Sequence, residues 1–178
     1  MTTRLIHRQA ASPSREIAEC LEGMLLSELL SPGRSLLVMS PWMSDFPVVD
    51  NRGGRFTSIE QSWTASLVPF SAVLRALLVR RVEVRLACGP GDRDSEFAKR
   101  VERGAQLDGT SARLSISPLP HSDKALSHEK ALVADTWAIY GSMNLTYRGV
   151  TFNGELITVT TDLATVTKVG TELRGVFA

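Results

Sequence analysis

Short apolar runs, each bounded by turn residues, alternate along this chain with longer segments of helical period. Apolar residues recur every three or four positions in four segments, which predicts helices at 12–30, 68–81, 94–107 and 163–177. Shorter runs predict strands at 35–41, 82–89, 112–120 and 154–162, two more strands within 128–140, and a short helix at 143–149. Helices interleaved with strands in this order predict an α/β layered domain.

The size and composition of the chain are typical of one globular domain. Its 178 residues can bury a proper core, and its 43% hydrophobic and 22% charged residues are usual for a soluble protein. We therefore expect a single domain over 1–178. The formal net charge of +1 argues neither for nor against nucleic acid, so an electropositive site would have to be local.

The sequence lacks the common motifs of metal, nucleotide and membrane sites. An HExxH zinc motif that starts at His128 fails because Leu132 stands where the second histidine is needed, and neither GxxxxGK[ST] nor GxSxG occurs. Cys20 and Cys88 have no CxxC spacing. The N-terminus has no apolar signal region, and no apolar run reaches 18 residues. We expect no metal, no cofactor, no transmembrane segment and a cytoplasmic location.

The segment 42–63 has no clear period. It contains adjacent glycines, two arginines and two tryptophans. A loop of this length inside a compact domain is usually functional or mobile. We therefore predict a mobile or specificity loop at about 42–63.

Five polar residues whose side chains could bind a ligand or react lie around the two strands predicted in 128–140. His128 and Lys130 are two apart and would share one face of a strand; Asp135 lies at the turn, and Ser142 and Asn144 follow the second strand. The lysine charge, the amide and the hydroxyl could bind a phosphate, which leaves the histidine to attack phosphorus or move a proton. The alternative is an ordinary hairpin with polar edges.

These residues also match a family pattern. The sequence reads HxKx₄Dx₅GSxN from His128 to Asn144, and Asn153-Gly-Glu155 follows, which resembles the HKD signature of the phospholipase D superfamily. The resemblance implies an α/β fold, a phospholipase D-like α/β/α sandwich with a mixed central sheet. It implies a site made of His128, Lys130, Asn144, Glu155, Asp135 and Ser142.

The resemblance further implies a homodimer, because members of this superfamily use two HKD motifs per active site. The other histidines, His7 and His121, have no lysine two residues on, so the chain carries one motif. One His128 would form a phosphohistidine, and the partner's His128 would protonate the leaving oxygen.

The resemblance also implies roles for the other motif residues. Lys130 and Asn144 would bind phosphoryl oxygens, and Glu155 would accept a hydrogen bond from His128 and orient it. Asp135 is expected to fix local structure rather than to touch the substrate. The role of Ser142 is expected to be intermediate between these two.

The small size, the missing signal peptide and the lack of a membrane-seeking helix favour nucleic acid over lipid as the substrate. Arg52, Arg55 and Arg148 could line a path for a phosphate backbone, and Trp42, Trp63 or Phe56 could stack on bases. For each arginine the alternative is a solvated surface charge, and for each tryptophan it is core packing.

Three functions stay open at this point. The first is a metal-independent phosphodiesterase that acts on DNA or RNA. The second is a phospholipase or phosphatidyl transferase, for which an apolar access surface would come from Trp42, Met43, Phe46, Val48 and Val49. The third is a non-enzymatic module that binds nucleic acid or partner proteins. Single-motif chains of this size also resemble components of bacterial DNA-modification and phage-defence islands.

Overall fold

The computed structural model describes residues 2–89, 91–122 and 125–177. The strands are β1 (Thr3–Arg8), β2 (Ser35–Ser40), β3 (Pro47–Asp50), β4 (Leu67–Pro69), β5 (Glu83–Cys88), β6 (Leu114–Pro118), β7 (His121–Ser122), β8 (Ala125–Leu126), β9 (Ala131–Val133), β10 (Ala138–Gly141) and β11 (Glu155–Thr160). The α-helices are α1 (Glu16–Leu30), α2 (Phe70–Val79), α3 (Asp92–Leu107), α4 (Tyr147–Thr151) and α5 (Leu163–Arg174). Short 3-10 helices lie at Ser111–Arg113 and Gly175–Phe177.

Seven strands form one mixed sheet in the order β1-β11-β10-β9-β2-β5-β6. β2, β5 and β6 are parallel to one another. The other neighbouring pairs of the sheet, β1–β11, β11–β10, β10–β9 and β9–β2, are antiparallel. β3 pairs with β4 and β7 pairs with β8 in two separate hairpins. The mixed central sheet predicted from the sequence is confirmed.

Helices cover both faces of the sheet, which explains why β2 is apolar along its whole length. Leu36 and Val38 point into the larger core cluster, which includes residues of α1, α2 and α3. Leu37 and Met39 point the other way and pack in smaller clusters that include residues of α5. A strand that is buried on both faces reads as a continuous apolar run rather than an alternating one. The predicted sandwich is therefore present.

The segment 42–63 contains β3 and a series of turns that pack on the domain. The side chain of Asn51 is fully buried; its amide donates to the carbonyl of Thr64, and its oxygen accepts from the N–H of Phe56. Trp63 is 5% exposed. These contacts explain how a stretch without a clear period is held in place by its own polar and aromatic residues.

The expected apolar access surface for lipid is wrong. Met43, Phe46, Val48 and Val49 belong to the main core, and each is less than 9% exposed, so only Trp42 of that group reaches the surface. Apolar residues at irregular spacing in this segment serve packing.

A buried carboxylate ties the end of α1 to the turn between β9 and β10. Glu28 is 2% exposed. Its Oε2 accepts a hydrogen bond of 2.9 Å from Nε1 of Trp137, and its Oε1 accepts one of 2.7 Å from the N–H of Gly33. Both oxygens are thus satisfied inside the core, which is the condition for keeping a carboxylate there.

Replacement of Glu28 by leucine is expected to lower the free energy of unfolding by about 2–4 kcal/mol, because the buried N–H of Trp137 and the half-buried N–H of Gly33 lose their acceptor. Urea denaturation followed by circular dichroism measures this loss. Glu28→Gln is the matched control: it keeps an acceptor oxygen and is expected to lose less than the leucine variant. Equal losses in the two variants would contradict the assignment of the effect to hydrogen bonding.

Candidate active site

The residues of the motif meet at one edge of the sheet because their strands alternate in direction. β9 starts where β10 ends and where β11 starts. The N–H of Gly141 donates to the carbonyl of Lys130 at 3.2 Å, and the N–H of Ser142 donates to the carbonyl of Leu156 at 3.0 Å. The backbone therefore brings the segments at 128–130, 141–144 and 155–156 side by side.

At the centre of this edge a buried lysine supports an exposed histidine. Lys130 is 6% exposed; its Nζ lies 2.8 Å from Nδ1 of His128 and donates to the carbonyl oxygen of the same residue at 2.5 Å. The ring of His128 is exposed and meets the ring of Trp42 edge-on, with centroids 5.4 Å apart. The imidazole is thus held on two sides while it stays accessible to a substrate.

The environment of Lys130 shifts its titration. Burial lowers the pKa of the Lys130 ammonium, and the nearby carboxylates of Glu155 and Glu129 offset part of this effect. A lysine with a lowered pKa loses its positive charge at a lower pH than a lysine in water does.

Glu155 is paired differently from the sequence-based expectation. Glu155 is 6% exposed, and its carboxylate accepts a hydrogen bond from the hydroxyl of Ser142, which itself accepts from the N–H of Leu156 at 3.0 Å. The sequence led us to expect a hydrogen bond from His128 to Glu155, whereas Nδ1 of His128 lies next to the ammonium of Lys130. The structure therefore joins Glu155 to Ser142, and Lys130 to His128.

Arg8 is a buried residue of this edge that sequence reasoning missed. It is 2% exposed, and its guanidinium donates to the carbonyl oxygens of Gly149, Val150 and Asn153. Burial lowers the pKa of Arg8, whereas the charge of Glu155 raises it. Arg8 thereby fixes the backbone of α4 beside the site; its inward position in β1 was the only local signal.

Asn144 is oriented from β2, by a second residue that sequence reasoning missed. The hydroxyl of Ser40 donates to the carbonyl of Trp42 at 2.8 Å, lies 3.4 Å from Oδ1 of Asn144 and accepts from the N–H of Leu145 at 3.2 Å. Ser40 is fully buried, so this contact is made away from bulk water. With its oxygen directed to Ser40, the amide nitrogen of Asn144 is left to donate.

Asp135 lies at the opposite end of β9, away from the other motif residues. Its carboxylate accepts from the N–H and the Nε of Arg34, at 2.8 and 3.2 Å, and from the hydroxyl of Ser35 at 3.3 Å. Burial opposes ionisation of Asp135, but the hydrogen bonds from Arg34 outweigh it and lower the pKa. These contacts join the turn before β10 to the start of β2, which is a structural position.

The arginines expected to bind substrate are not equivalent. Arg52 forms a two-fold hydrogen bond with Asp50, and the guanidinium of Arg55 lies over the ring of Phe56 at 5.2 Å. Arg148 is exposed on α4 and lines a groove that also contains Glu155. Of the three, the structure brings Arg148 beside the motif residues.

The residues that the structure describes contain neither a candidate metal site nor a candidate membrane-spanning helix. Across 2–89, 91–122 and 125–177, no three or more histidine, cysteine, aspartate or glutamate side chains form a group that could hold a metal ion. In the same residues, no helix is both long and apolar enough to cross a membrane.

Comparison with known proteins identifies the family. The family model described as "Cardiolipin synthase, PLD-like domain" matches residues 63–176, which is more than half of the chain. No curated protein sequence matches the chain.

The architecture recurs in solved structures. NucT from Helicobacter pylori is 14% identical with a TM-score of 0.59, covering 98% of this chain and 94% of its own. Nuc from Salmonella typhimurium, described as a phospholipase D family member, is 13% identical with a TM-score of 0.56, covering 98% and 93%. Phosphatidylserine synthase from Haemophilus influenzae is 16% identical with a TM-score of 0.58, covering 98% of this chain and 39% of its own. With the family model, the mixed sheet and the motif in agreement, the chain belongs to the phospholipase D superfamily.

Proposed function

We propose that this chain is a metal-independent phosphodiesterase, a nuclease that cleaves DNA or RNA through a phosphohistidine intermediate at a homodimer active site. The observation that carries the proposal is the exposed imidazole of His128, held 2.8 Å from the ammonium of the buried Lys130. An accessible nucleophile beside a fixed positive charge can attack a phosphodiester while the charge on its oxygens is neutralised. Membership of the superfamily supports this chemistry.

The contact between Lys130 and His128 has a consequence for the first step. An ammonium that donates to Nδ1 favours the imidazole tautomer whose proton is on Nε2. In that tautomer the lone pair of Nε2 is bonded to the proton, so this nitrogen cannot attack phosphorus. In the proposed reaction a bound phosphoryl group draws the Lys130 ammonium to its own oxygens. The proton then moves to Nδ1, and Nε2 becomes free to attack phosphorus.

The second half of the reaction needs a second histidine. When Nε2 bonds to phosphorus, the bond to the leaving oxygen breaks and that oxygen must receive a proton. In the described structure His7 is exposed on β1, outside the motif, so we assign the proton donor to the partner's His128 in a symmetric dimer. The same imidazole then removes a proton from water, which displaces the protein nitrogen from phosphorus.

The proposed function is tested by cleavage of labelled single- and double-stranded DNA and RNA in EDTA, with an alkaline detergent quench to trap a phosphorylated protein. We expect EDTA-resistant cleavage and an adduct that is labile to acid and stable to alkali. Failure of the folded protein to cleave these nucleic acids and bis(4-nitrophenyl) phosphate would exclude the proposed activity.

The lowered pKa of Lys130 predicts how the activity depends on pH. The ammonium binds phosphate only while it is protonated, so KM is expected to rise as the pH increases through a value below that of an ordinary lysine. Lys130→Arg is expected to keep its charge over the whole range, and its KM should stay level at alkaline pH even where kcat is reduced. A pH profile of KM with bis(4-nitrophenyl) phosphate measures both, and the same alkaline rise in the arginine variant would assign it to another group.

The cytoplasmic location and the partner proteins of a phage-defence or DNA-modification system stay predictions from the sequence.

A further inference from the structure

The exposed aromatic residues of the chain are gathered at the edge that carries the motif. Within the residues that the structure describes, the aromatic side chains classed as exposed are Trp42, Tyr147 and Phe152, at 48%, 49% and 47%. Trp42 touches the ring of His128. By contrast, Trp63, which the sequence offered as a stacking residue, is buried. Exposed rings concentrated beside one site indicate a ligand with its own flat faces.

Tyr147 and Phe152, at the two ends of α4, are held in place by contacts of their backbone. The rings of Tyr147 and Phe152 meet edge-on with centroids 5.6 Å apart. The carbonyl of Phe152 accepts from the N–H of Ala11 at 2.8 Å, and the N–H of Tyr147 donates to the hydroxyl of Ser44 at 3.4 Å. Together with the hydrogen bonds from Arg8, these contacts fix the backbone and leave the rings open. The pair is preformed, which lowers the entropy cost of binding.

Two grooves meet at Phe152. One, of about 670 Å³, contains Phe152, Arg148 and the motif residue Glu155. The other, of about 450 Å³, contains Phe152, Tyr147, Arg15 and Arg52. Phe152 lines both grooves, so the aromatic pair lies between the motif residue Glu155 and Arg15. The second groove is also lined by Glu22 and by Asp50, which pairs with Arg52. Flat apolar rings with Arg148 on one side and Arg15 on the other match a chain of phosphates and bases.

We propose that the substrate is single-stranded nucleic acid, whose bases stack on Tyr147 and Phe152 while its backbone passes Arg148 toward His128. The inference rests on the proposed function and names its substrate class. In a duplex the base faces are stacked on one another and cannot reach these rings, whereas unpaired bases can. The rings therefore select unpaired strands by a contact that duplexes cannot make.

The test is a binding measurement with the His128→Ala protein, which prevents turnover. Fluorescence anisotropy gives the Kd for a labelled 20-nucleotide DNA, the matching RNA, and their duplexes. We expect the single strands to bind at least about tenfold more tightly than the duplexes. Adding Tyr147→Leu or Phe152→Leu should weaken single-strand binding by about tenfold each and leave duplex binding unchanged. If the leucine substitutions raise the Kd of one single strand, DNA or RNA, more than that of the other, the strand with the larger increase carries the preferred sugar.

Leu163→Ala is the control, because it removes a side chain that is 46% exposed at the start of α5, at the opposite end of the sheet. It should change none of these affinities, and thermal melts should show that all variants are folded. Equal affinity for duplex and single strand, or no loss in both leucine variants, would overturn the inference. The inference would also be overturned if the leucine variants lost affinity for phosphatidylglycerol vesicles and kept their affinity for nucleic acid. Hydrolysis of bis(4-nitrophenyl) phosphate by the wild type tests the proposed function separately, because that diester needs no stacked base.

Discussion

Replacement of His128 by alanine is expected to reduce cleavage of every phosphodiester substrate at least about 10⁴-fold, because the variant lacks both the nucleophile and the proton donor of the proposed reaction. The ring of His128 is exposed, so its removal should leave the fold intact. His7→Ala is the matched control: it removes an exposed histidine from β1 of the same sheet and should retain full activity. Initial rates in EDTA, with melting curves for both variants, measure this contrast.

The same variant also tests the homodimer. If each active site needs a His128 from both subunits, a dimer with one alanine subunit has lost half of its site. Subunits mixed in equal amounts and refolded together should then give about a quarter of the wild-type rate, since about a quarter of the dimers carry two histidines. A rate near one half would show that each subunit works alone and would refute the shared site.

The parts of the fold with a regular period could be predicted from the sequence. The apolar run of β2 predicts a strand buried on both faces, and the helical spacing in α1 and α3 follows from the faces that they bury. The hairpin of β3 and β4 could not be predicted, because it is held by the buried side chain of Asn51 and by the burial of Trp63 rather than by an alternating pattern. Contacts between specific side chains leave no period in the sequence.

Some residues of the candidate site could likewise be predicted from the sequence, and others could not. The spacing of His128, Lys130, Ser142 and Asn144 identifies the edge, because residues before one strand and after its antiparallel neighbour must meet. Strand geometry also separates Asp135: five residues of extended chain span roughly 16 Å, so it cannot join Lys130 in one contact.

Other residues of the site could not be found from the motif. Arg8, Ser40, Tyr147 and Phe152 are placed there by contacts with distant parts of the chain, and apart from the inward position of Arg8 in β1 nothing in their local sequence marks them.

The edge that carries the site also depends on a close approach of two backbones at Gly141. This residue has φ +150°, and a Cβ added there would lie 2.3 Å from the carbonyl oxygen of Leu156 and 2.9 Å from Cα of Ile157. Gly141→Ala must therefore push β10 away from β11, between the positions of Ser142 and Glu155. From backbone strain and overpacking together, we expect the free energy of unfolding to fall by about 3 kcal/mol.

Activity should fall further than stability explains, because a displacement of about 1 Å between catalytic groups can cost about 10²-fold in rate. Urea denaturation and cleavage rates measured on the folded fraction separate these effects. Gly23→Ala is the opposite control: Gly23 is exposed in α1 with open space around its Cβ position, so alanine there should stabilise the protein by about 0.5–1 kcal/mol and leave the rate unchanged. If Gly141→Ala kept wild-type stability and rate, the close contact of β10 with β11 could not be what aligns Ser142 with Glu155.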